Sequence, residues 1–230
     1  MIIYQPQEGY CYNSDTIFLY HFIRRFPLRG NVLDVGTGSG ILALLVARDF
    51  KAQVDAIEIQ EHFVHYAKIN AKANKLPVTV YLGDFLHMHF AKRYDYIITN
   101  PPFYHTGVLR SKNPIIDKAR YSGHMPFEKF IKKANQILKP KGGIIFCYDA
   151  KQTQTLLMHL SANKFTVEAM QFVHPNAQKE ASLVMIYAKK SSKSLCAIVP
   201  PLIVFENGEY REETKRIFEE VGAYSIKCHI

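Results

Sequence analysis

A glycine-rich turn between a buried strand and a buried helix constrains the fold of this chain most. Residues 31–35 (NVLDV) have the pattern of a buried strand and run directly into Gly36-Thr-Gly38-Ser-Gly40, and residues 40–50 then follow a helical pattern. Glycines suit such a turn because the backbone is tight there and a ligand can approach it closely. The pattern therefore predicts a ligand-binding loop at the carboxyl edge of the first strand of a parallel sheet.

Strand and helix patterns alternate through the first three quarters of the chain. Apolar runs bounded by turn residues predict the strands, and apolar residues at helical spacing predict the helices. The predicted strands cover residues 31–35, 53–59, 78–82, 94–99 and 144–148, and the predicted helices cover residues 15–26, 40–50, 60–74 and 126–138. Such alternation is typical of an α/β fold, a doubly wound parallel sheet with helices on both faces.

In the last quarter of the chain, the alternation of strand and helix patterns stops. Residues 164–174 and 181–189 predict an antiparallel strand pair at a sheet edge, followed by a short strand at 202–205 and a helix at 211–221. We expect one domain made of an N-terminal helical or lid segment (1–30), a core (31–190) and a C-terminal strand-helix extension (191–230). Ser14 or Asp15 is the expected N-cap of the first helix.

Acidic residues follow the strands next to the glycine loop. Glu58 ends the second strand, 24 residues after Asp34, where a carboxylate can accept the hydroxyls of a ribose. The loop spacing is GxGxG, whereas dinucleotide-binding loops prefer GxGxxG. Asp34 would repel a pyrophosphate but can bind an ammonium group, which favours S-adenosylmethionine over NAD. Asp84, beside Phe85 after the third strand, could accept from the adenine amino group, and a structural turn is the alternative for both features.

The fourth strand ends in Asn100-Pro101-Pro102-Phe103. Prolines cannot continue a central strand, so they stiffen the chain where it leaves the sheet and fix the backbone at Asn100. An amide oxygen beside a backbone carbonyl forms a pair of acceptors, and the aromatic ring behind them can stack on a base. This arrangement suits a planar –NH2 group that attacks a methyl group, because the two acceptors stabilise the positive charge developing on nitrogen. A proline-rich turn without chemistry is the alternative.

Charge and composition limit the partners. The chain has 230 residues, 48% of them hydrophobic, and its net charge of +9 favours a polyanion such as nucleic acid. A signal peptide and a membrane-spanning run are not expected, and the four scattered cysteines favour a reduced cytoplasmic protein. His87-Met-His89 lacks a second ligand pair, so we expect no metal.

The motifs DVGTGSG (34–40), IEIQ (57–60) and TNPPFY (99–104) resemble class I methyltransferases acting on an exocyclic or amide nitrogen. More closely, the chain resembles the bacterial tRNA(Val) adenine-37 N6-methyltransferase family. That resemblance also rests on Gly9-Tyr10 with Asp15, Ala119-Arg120, FVHP (172–175) and NGEY (207–210). Cys11 and His124 depart from the family pattern.

The resemblance implies a Rossmann-like fold with a mostly parallel seven-stranded sheet and an antiparallel edge hairpin. It also implies S-adenosylmethionine as cofactor and the tRNA anticodon stem-loop as partner, and we expect a monomer. The implied cofactor-binding residues are Asp34, Gly36, Thr37, Gly38, Gly40, Glu58, Ile59, Asp84, Phe85 and Asn100. The implied catalytic residues are Asn100, Pro101, Pro102 and Phe103, with Phe103 stacking the target base.

Basic residues indicate where RNA could bind. The expected contacts are the arginines before the first strand and the basic and aromatic residues after Phe103, namely Arg24, Arg25, Arg29, Tyr104, Arg110, Lys112, Lys118 and Arg120. Ordinary solvated segments are the alternative, and for the three arginines a solvated helix end explains them equally well. The alternative activities are glutamine methylation of release factors, guanine-N2 methylation of ribosomal RNA, and RNA binding on an inactive methyltransferase scaffold.

Overall fold

The main sheet is built around a switch in strand order at the first core strand. The computed structural model describes residues 1–8, 11–101 and 125–229. Its strands are β1 (Ile2–Pro6), β2 (Gly30–Val35), β3 (Ala52–Glu58), β4 (Val78–Leu82), β5 (Tyr94–Thr99), β6 (Leu138–Asp149), β7 (Phe165–His174), β8 (Leu183–Lys190), β9 (Ala197–Ile203), β10 (Phe205–Glu206), β11 (Glu209–Tyr210) and β12 (Tyr224–Cys228). Its helices are α1 (Ser14–Ile23), α2 (Ile41–Asp49), α3 (Glu61–Ala73), α4 (Phe127–Ile137), α5 (Thr153–Ala162) and α6 (Glu212–Val221).

In the described part of the chain, the main sheet has eight strands in the order β4-β3-β2-β5-β6-β8-β7-β9. The pairs from β4 to β6 are all parallel, whereas β8 runs antiparallel to both β6 and β7. From β2 the chain moves outward to β3 and β4, then returns to β5 on the other side. Because parallel crossovers are right-handed, this reversal places the connecting helices on opposite faces of the sheet. The predicted Rossmann-like architecture is confirmed.

The edge of the sheet differs from the prediction. The sequence predicted seven strands with the antiparallel hairpin at the edge, but β9 adds a strand beyond the hairpin and pairs parallel with β7. Its prolines Pro200 and Pro201 are compatible with this place, because an edge strand has one side without ladder bonds. The register shifts opposite them, between Gln171 and Val173, and Gln171 Nε2 donates to the Pro200 carbonyl at 2.9 Å.

Some boundaries also differ. The first helix begins at Ser14 with Asn13 as N-cap, not Ser14 or Asp15, and the Asn13 side chain instead donates to Asp15 Oδ2 at 2.8 Å. Strand β6 begins at Leu138 rather than 144, with an irregular register between Tyr94 and Tyr96. Strands β4 and β5 match their predicted bounds.

The two ends of the chain meet in a small parallel pair of β1 and β12 that the sequence did not predict. The amino group of Met1 donates to the Gly222 carbonyl at 2.8 Å, and Gln5 Nε2 donates to Ser225 Oγ. Gln5 Oε1 in turn accepts from the backbone N–H of Tyr12 at 2.8 Å. Pairing of the two ends therefore supports the segment that leads into α1.

The hydrophobic core lies between the sheet and its helices. In α2, Ile41 to Val46 are all buried, which agrees with the prediction of a helix enclosed on most sides. In α4, buried side chains recur at helical spacing (Phe130, Ile131, Ala134 and Ile137), so only one face is covered. No helix in the described ranges is long and apolar enough to span a bilayer.

Candidate active site

One cavity collects most of the predicted site residues. It lies where β2 and β5 end, at the switch in strand order, which is the usual ligand-binding position in open parallel sheets. Predicted residues that line it are Asp34, Gly36, Thr37, Gly38, Glu58, Ile59, Asp84, Phe85 and Asn100. The space measures about 1030 Å³, including the part open to solvent.

The glycine loop is held open toward this cavity. Gly36 and Thr37 donate their backbone N–H groups to the Ile57 carbonyl, which ties the loop to β3. Gly36 and Gly38 have φ angles of +70° and +56°, and a Cβ on either would meet nothing within 4 Å. Their conformations favour glycine, and the bare backbone faces space that a ligand could occupy.

The third loop glycine has a packing role. Gly40 has φ +91°, and a Cβ there would lie 3.2 Å from Cβ of Ala67 on α3. The same helix carries the buried Asn70, whose Nδ2 donates to the Ser39 carbonyl at 2.9 Å. The loop is therefore fixed from the side of α3, and Gly40 permits the close approach.

Asp34 is a buried carboxylate beneath the loop, with 1% of its surface exposed. Its Oδ2 accepts from Thr37 Oγ1 at 2.6 Å and from the Ala43 N–H at 3.1 Å. Burial raises the pKa of Asp34 to about 7, and the nearby Glu58 adds to the rise, while these two hydrogen bonds oppose it. The charge on Asp34 therefore depends on pH near neutrality.

Glu58 binds the glycine loop through its side-chain carboxylate. Its Oε2 accepts from the Gly38 N–H at 3.0 Å, and its Oε1 accepts from Ile59 N–H at 2.9 Å and Gln60 N–H at 3.0 Å. A carboxylate offers about four acceptor positions, so these donors take most of them. A ribose diol at Glu58 would share this carboxylate with the backbone.

Asp84 and Phe85 lie on the far side of the cavity, after β4. Asp84 caps its own turn, because Oδ1 accepts from Leu86 N–H at 2.9 Å and Oδ2 lies 2.7 Å from His87 Nδ1. Phe85 is largely buried against Phe130, at 5.3 Å between ring centroids. The turn-cap alternative for Asp84 therefore has direct support, although both residues also line the cavity.

Asn100 reaches the cavity from the end of β5. The preceding Thr99 donates its hydroxyl to the Val35 carbonyl at 2.7 Å, which ties the ends of β5 and β2 together. Asn100 Nδ2 donates to Thr16 Oγ1 at 2.9 Å, and Cys147 Sγ donates to Asn100 Oδ1 at 2.8 Å. The amide is therefore held on both sides. Pro101 is buried next to it, whereas Pro102 and Phe103 lie outside the described residues.

The cavity is also lined by residues that the sequence did not predict as part of the site, including Tyr12, Thr16, Gln60, Phe63 and Met125. Tyr12 and Thr16 precede the core strands, so strand-end reasoning could not find them. Their positions depend on how α1 packs beside the sheet. Thr16 follows two other polar residues, Ser14 and Asp15, at the start of α1, so no local signal in the sequence singles it out.

Of the predicted RNA contacts, Arg24, Arg25 and Arg29 lie in the described part of the chain, and none of these three lines the cavity. Arg24 follows α1 eight residues after Thr16, or ~12 Å along the helix axis, and it forms an ion pair with Glu220. Tyr104, Arg110, Lys112, Lys118 and Arg120 lie outside the described residues, as do Gly9, Tyr10 and His124. Among residues 1–8, 11–101 and 125–229, no group of three His, Cys, Asp or Glu side chains is placed to hold a metal ion.

Sequence relatives carry one recurring name, tRNA1(Val) (adenine(37)-N6)-methyltransferase. The protein of that name from Phocaeicola vulgatus is 28% identical over 80% of this chain and 78% of its own length. The one from Dyadobacter fermentans is 29% identical over 85% of this chain and 82% of its own length. The one from Glaesserella parasuis is 33% identical over 63% of this chain and 62% of its own length.

Solved structures share the fold. A predicted O-methyltransferase from Agrobacterium tumefaciens superposes with a TM-score of 0.70 at 17% identity, covering 93% of this chain and all of that one. A 16S rRNA methyltransferase from Thermus thermophilus superposes with a TM-score of 0.56 at 24% identity, covering 78% of this chain and 44% of that one.

The family model described as the methyltransferase small domain matches residues 13–173. This range includes every described cavity residue named above except Tyr12. The chain belongs to the methyltransferase small domain family.

Proposed function

We propose that this protein transfers a methyl group from S-adenosylmethionine to N6 of an adenine in tRNA, namely adenine 37 of tRNA(Val). The names of its relatives support the substrate, and membership of the methyltransferase family supports the reaction. A tRNA substrate also agrees with the net charge of +9 and with the cytoplasmic location expected from the sequence. The remaining support comes from the cavity.

The observation that carries the proposal is the place of Asn100. It lines the same cavity as the glycine loop and Glu58, one strand away from the loop across the β2–β5 switch. An acceptor amide is thus placed beside a site whose loop presents bare backbone to a ligand. A purely structural turn would not require Asn100 to share one cavity with the glycine loop and Glu58.

The residues around the loop fit S-adenosylmethionine. The open space over Gly36 and Gly38 admits a ligand against the backbone, and the Asp34 carboxylate beneath them can balance an ammonium group. Glu58 would hold the ribose, and Asp84 with the largely buried Phe85 would border the adenine. When bound, the cofactor supplies an electrophilic methyl group on a sulfonium.

The chain itself would orient and activate the target amine. The lone pair of an adenine amino group is delocalised into the ring, so the group is a weak nucleophile. The amine would donate one hydrogen bond to Asn100 Oδ1 and a second one to the Pro101 carbonyl. These two bonds would draw its nitrogen toward tetrahedral geometry. The same acceptors would stabilise the positive charge that develops on nitrogen, and the proton would leave after the transfer. Holding the amine in line with the methyl group supplies the rest of the rate enhancement.

The test is methyl transfer from labelled S-adenosylmethionine to an unmodified tRNA(Val) transcript. We expect label in that transcript and none in a matched transcript with guanine at position 37. Release factor protein and 16S rRNA serve as substrates for the alternative activities. Label in the guanine-37 transcript, or in either alternative substrate and not in tRNA, would contradict the proposal.

The role of Asn100 is tested separately with Asn100→Ala. We expect kcat to fall by ~10²-fold or more, since removing one donor or acceptor from a charge-stabilising pair costs a factor of that size. Affinity for S-adenosylmethionine should survive, because the loop, Asp34 and Glu58 are unchanged. Unaltered turnover would remove the role given to Asn100.

A further inference from the structure

The Asn100 side chain is held between two side chains from outside its own strand. On one side its Nδ2 donates to Thr16 Oγ1 at 2.9 Å, and on the other its Oδ1 accepts from Cys147 Sγ at 2.8 Å. We propose that Thr16 and Cys147 are positioning residues, which fix the Asn100 amide so that its oxygen faces the target amine before the substrate enters. This inference rests on the role of Asn100 in the proposed function.

Thr16 is rigidly placed. It lies in the first turns of α1 with 5% of its surface exposed, and residues Ile17 to Tyr20 that follow it are buried in the core. Because the helix is packed along its length, the Thr16 hydroxyl cannot follow a moving amide. A β-branched side chain also has few rotamers in a helix, which limits its motion further. Thr16 lines the cavity as well, so it contacts Asn100 at the site itself without being part of the sheet.

Cys147 is placed by the register of the sheet. Thr99, the last residue of β5, pairs with Phe146 of β6, so Asn100, which directly follows β5, lies beside Cys147 of the adjacent parallel strand. Cys147 is fully buried. Burial raises the pKa of its thiol well above the usual value, with Asp15 adding to the rise, so the thiol is neutral and can donate.

The two contacts select one orientation of the amide. A hydroxyl oxygen is a good acceptor for an amide N–H, whereas a neutral thiol sulfur is a poor one. Nδ2 therefore faces Thr16 and Oδ1 faces Cys147. A carbonyl oxygen has two acceptor positions, so Oδ1 keeps one for the amine of the substrate. With the amide turned over, Nδ2 would face the target N–H groups and repel them.

The test combines near-isosteric variants with a double-mutant cycle. T16V removes the acceptor at nearly constant volume, and T16S keeps it. We expect T16V to lower kcat at saturating tRNA and cofactor by about three- to tenfold, the size of one neutral hydrogen bond. T16S should restore most of the rate, and cofactor affinity should stay unchanged in both. In an Asn100→Ala background, T16V should cause no further loss, because Thr16 acts through Asn100.

Cys147 repeats the test from the other side of the amide. C147A removes the donor, whereas C147S keeps one. We expect C147A to lower kcat by less than T16V does, and C147S to restore the rate. In the Asn100→Ala background, C147A should cause no further loss. Equal losses in T16V and T16S, or losses that persist without Asn100, would overturn the inference. So would full activity of both T16V and C147A.

A spectroscopic measurement keeps the inference independent of the RNA substrate. The side-chain amide signals of Asn100, identified by their absence in Asn100→Ala, should exchange with water faster in T16V than in wild type and T16S. Equal exchange rates would overturn the inference, whichever substrate the enzyme uses. Conversely, absence of transfer to tRNA by the wild-type protein with protected Asn100 signals would contradict only the proposed function.

Discussion

The buried Asp34 makes a specific prediction about pH. Its pKa is about 7 in the folded protein, mainly because burial disfavours the charge. Binding the ammonium group of S-adenosylmethionine requires the charged form. An α-amino group with a pKa of about 7.7–8.0 stays cationic below pH 7, so only the protein side of the contact changes between pH 5.5 and 7.

The magnitude follows from the fraction of Asp34 that is ionised. With a pKa near 7, about half of the carboxyl groups are charged at pH 7 and ~3% at pH 5.5. If the charged form alone binds tightly, cofactor affinity should fall by ~15-fold over that range. The amide that D34N introduces could still accept the bonds from Thr37 and Ala43 but carries no charge. D34N should therefore bind more weakly and with a flatter pH profile.

Calorimetric titration at pH 5.5, 6.25 and 7 measures the effect. All other ionisable groups are the same in D34N, so the difference between the two profiles isolates Asp34. Methylthioadenosine, which lacks the amino acid part, provides a ligand control whose affinity should change little with pH. Equal slopes for wild type and D34N, or the same slope for methylthioadenosine, would refute the assignment of Asp34 to the ammonium group.

The same pKa shift predicts an opposite trend for the stability of the unliganded protein. Because the folded-state pKa is raised, the folded protein binds more protons than the unfolded chain between pH 3.8 and about 7. The contribution of Asp34 to the free energy of unfolding therefore falls as pH rises through that window, by at most about 4 kcal/mol. Urea unfolding of wild type and D34N across the window should show this fall in wild type alone.

Three further predictions concern the loop and the charge. Glu58→Gln replaces one acceptor oxygen by an NH2 group, which must then face a backbone N–H such as that of Gly38. Cofactor affinity measured by calorimetry should therefore fall about tenfold. Equal affinity would argue against a role for the Glu58 hydrogen bonds in shaping the loop. Gly40→Ala places a side chain at a positive φ and in close contact with Ala67, whereas Gly208→Ala meets the positive φ alone. Urea unfolding should therefore show a larger loss of unfolding free energy for Gly40→Ala, by about 1 kcal/mol or more. Affinity for tRNA should fall steeply between 50 and 200 mM salt in a filter-binding assay, and a flat dependence would show that the +9 charge is unrelated to the substrate.

The central strands could be predicted because each is a short apolar run with clear limits. Strand β4 follows Pro77 and matches its predicted bounds, and β5 ends where the prolines begin. The site followed from the same pattern. Since parallel strands end at one edge of the sheet, Asp34, Glu58, Asp84 and Asn100 were expected near one another, and they line one cavity.

Long-range pairing was not predictable. Strand β12 has mostly exposed residues without a clear alternation, and its partner β1 lies more than 200 residues away. No turn signal links two such segments, so only tertiary contacts decide that they pair. The strand predicted at 202–205 lies instead at Ala197–Ile203 as β9, which includes Pro200 and Pro201 because prolines are tolerated in an edge strand.

The support of Asn100 also lay beyond sequence reasoning. Thr16 follows Ser14 and Asp15 at the start of α1, and Cys147 lies within the apolar run of β6, so neither belongs to a recognisable motif. Their contacts with Asn100 depend on the packing of α1 against β6 and on the register of β5 with β6. Neither is encoded in local spacing.

The central claim is that this protein makes N6-methyladenosine at position 37 of tRNA(Val). Mass-spectrometric mapping of nucleosides in purified tRNA(Val), from strains with and without the gene, tests it most directly. We predict N6-methyladenosine at position 37 in the strain with the gene, unmodified adenosine there in the deletion strain, and no restoration by a gene carrying Asn100→Ala. The same modification in both strains, or its loss from a different RNA alone, would contradict the claim.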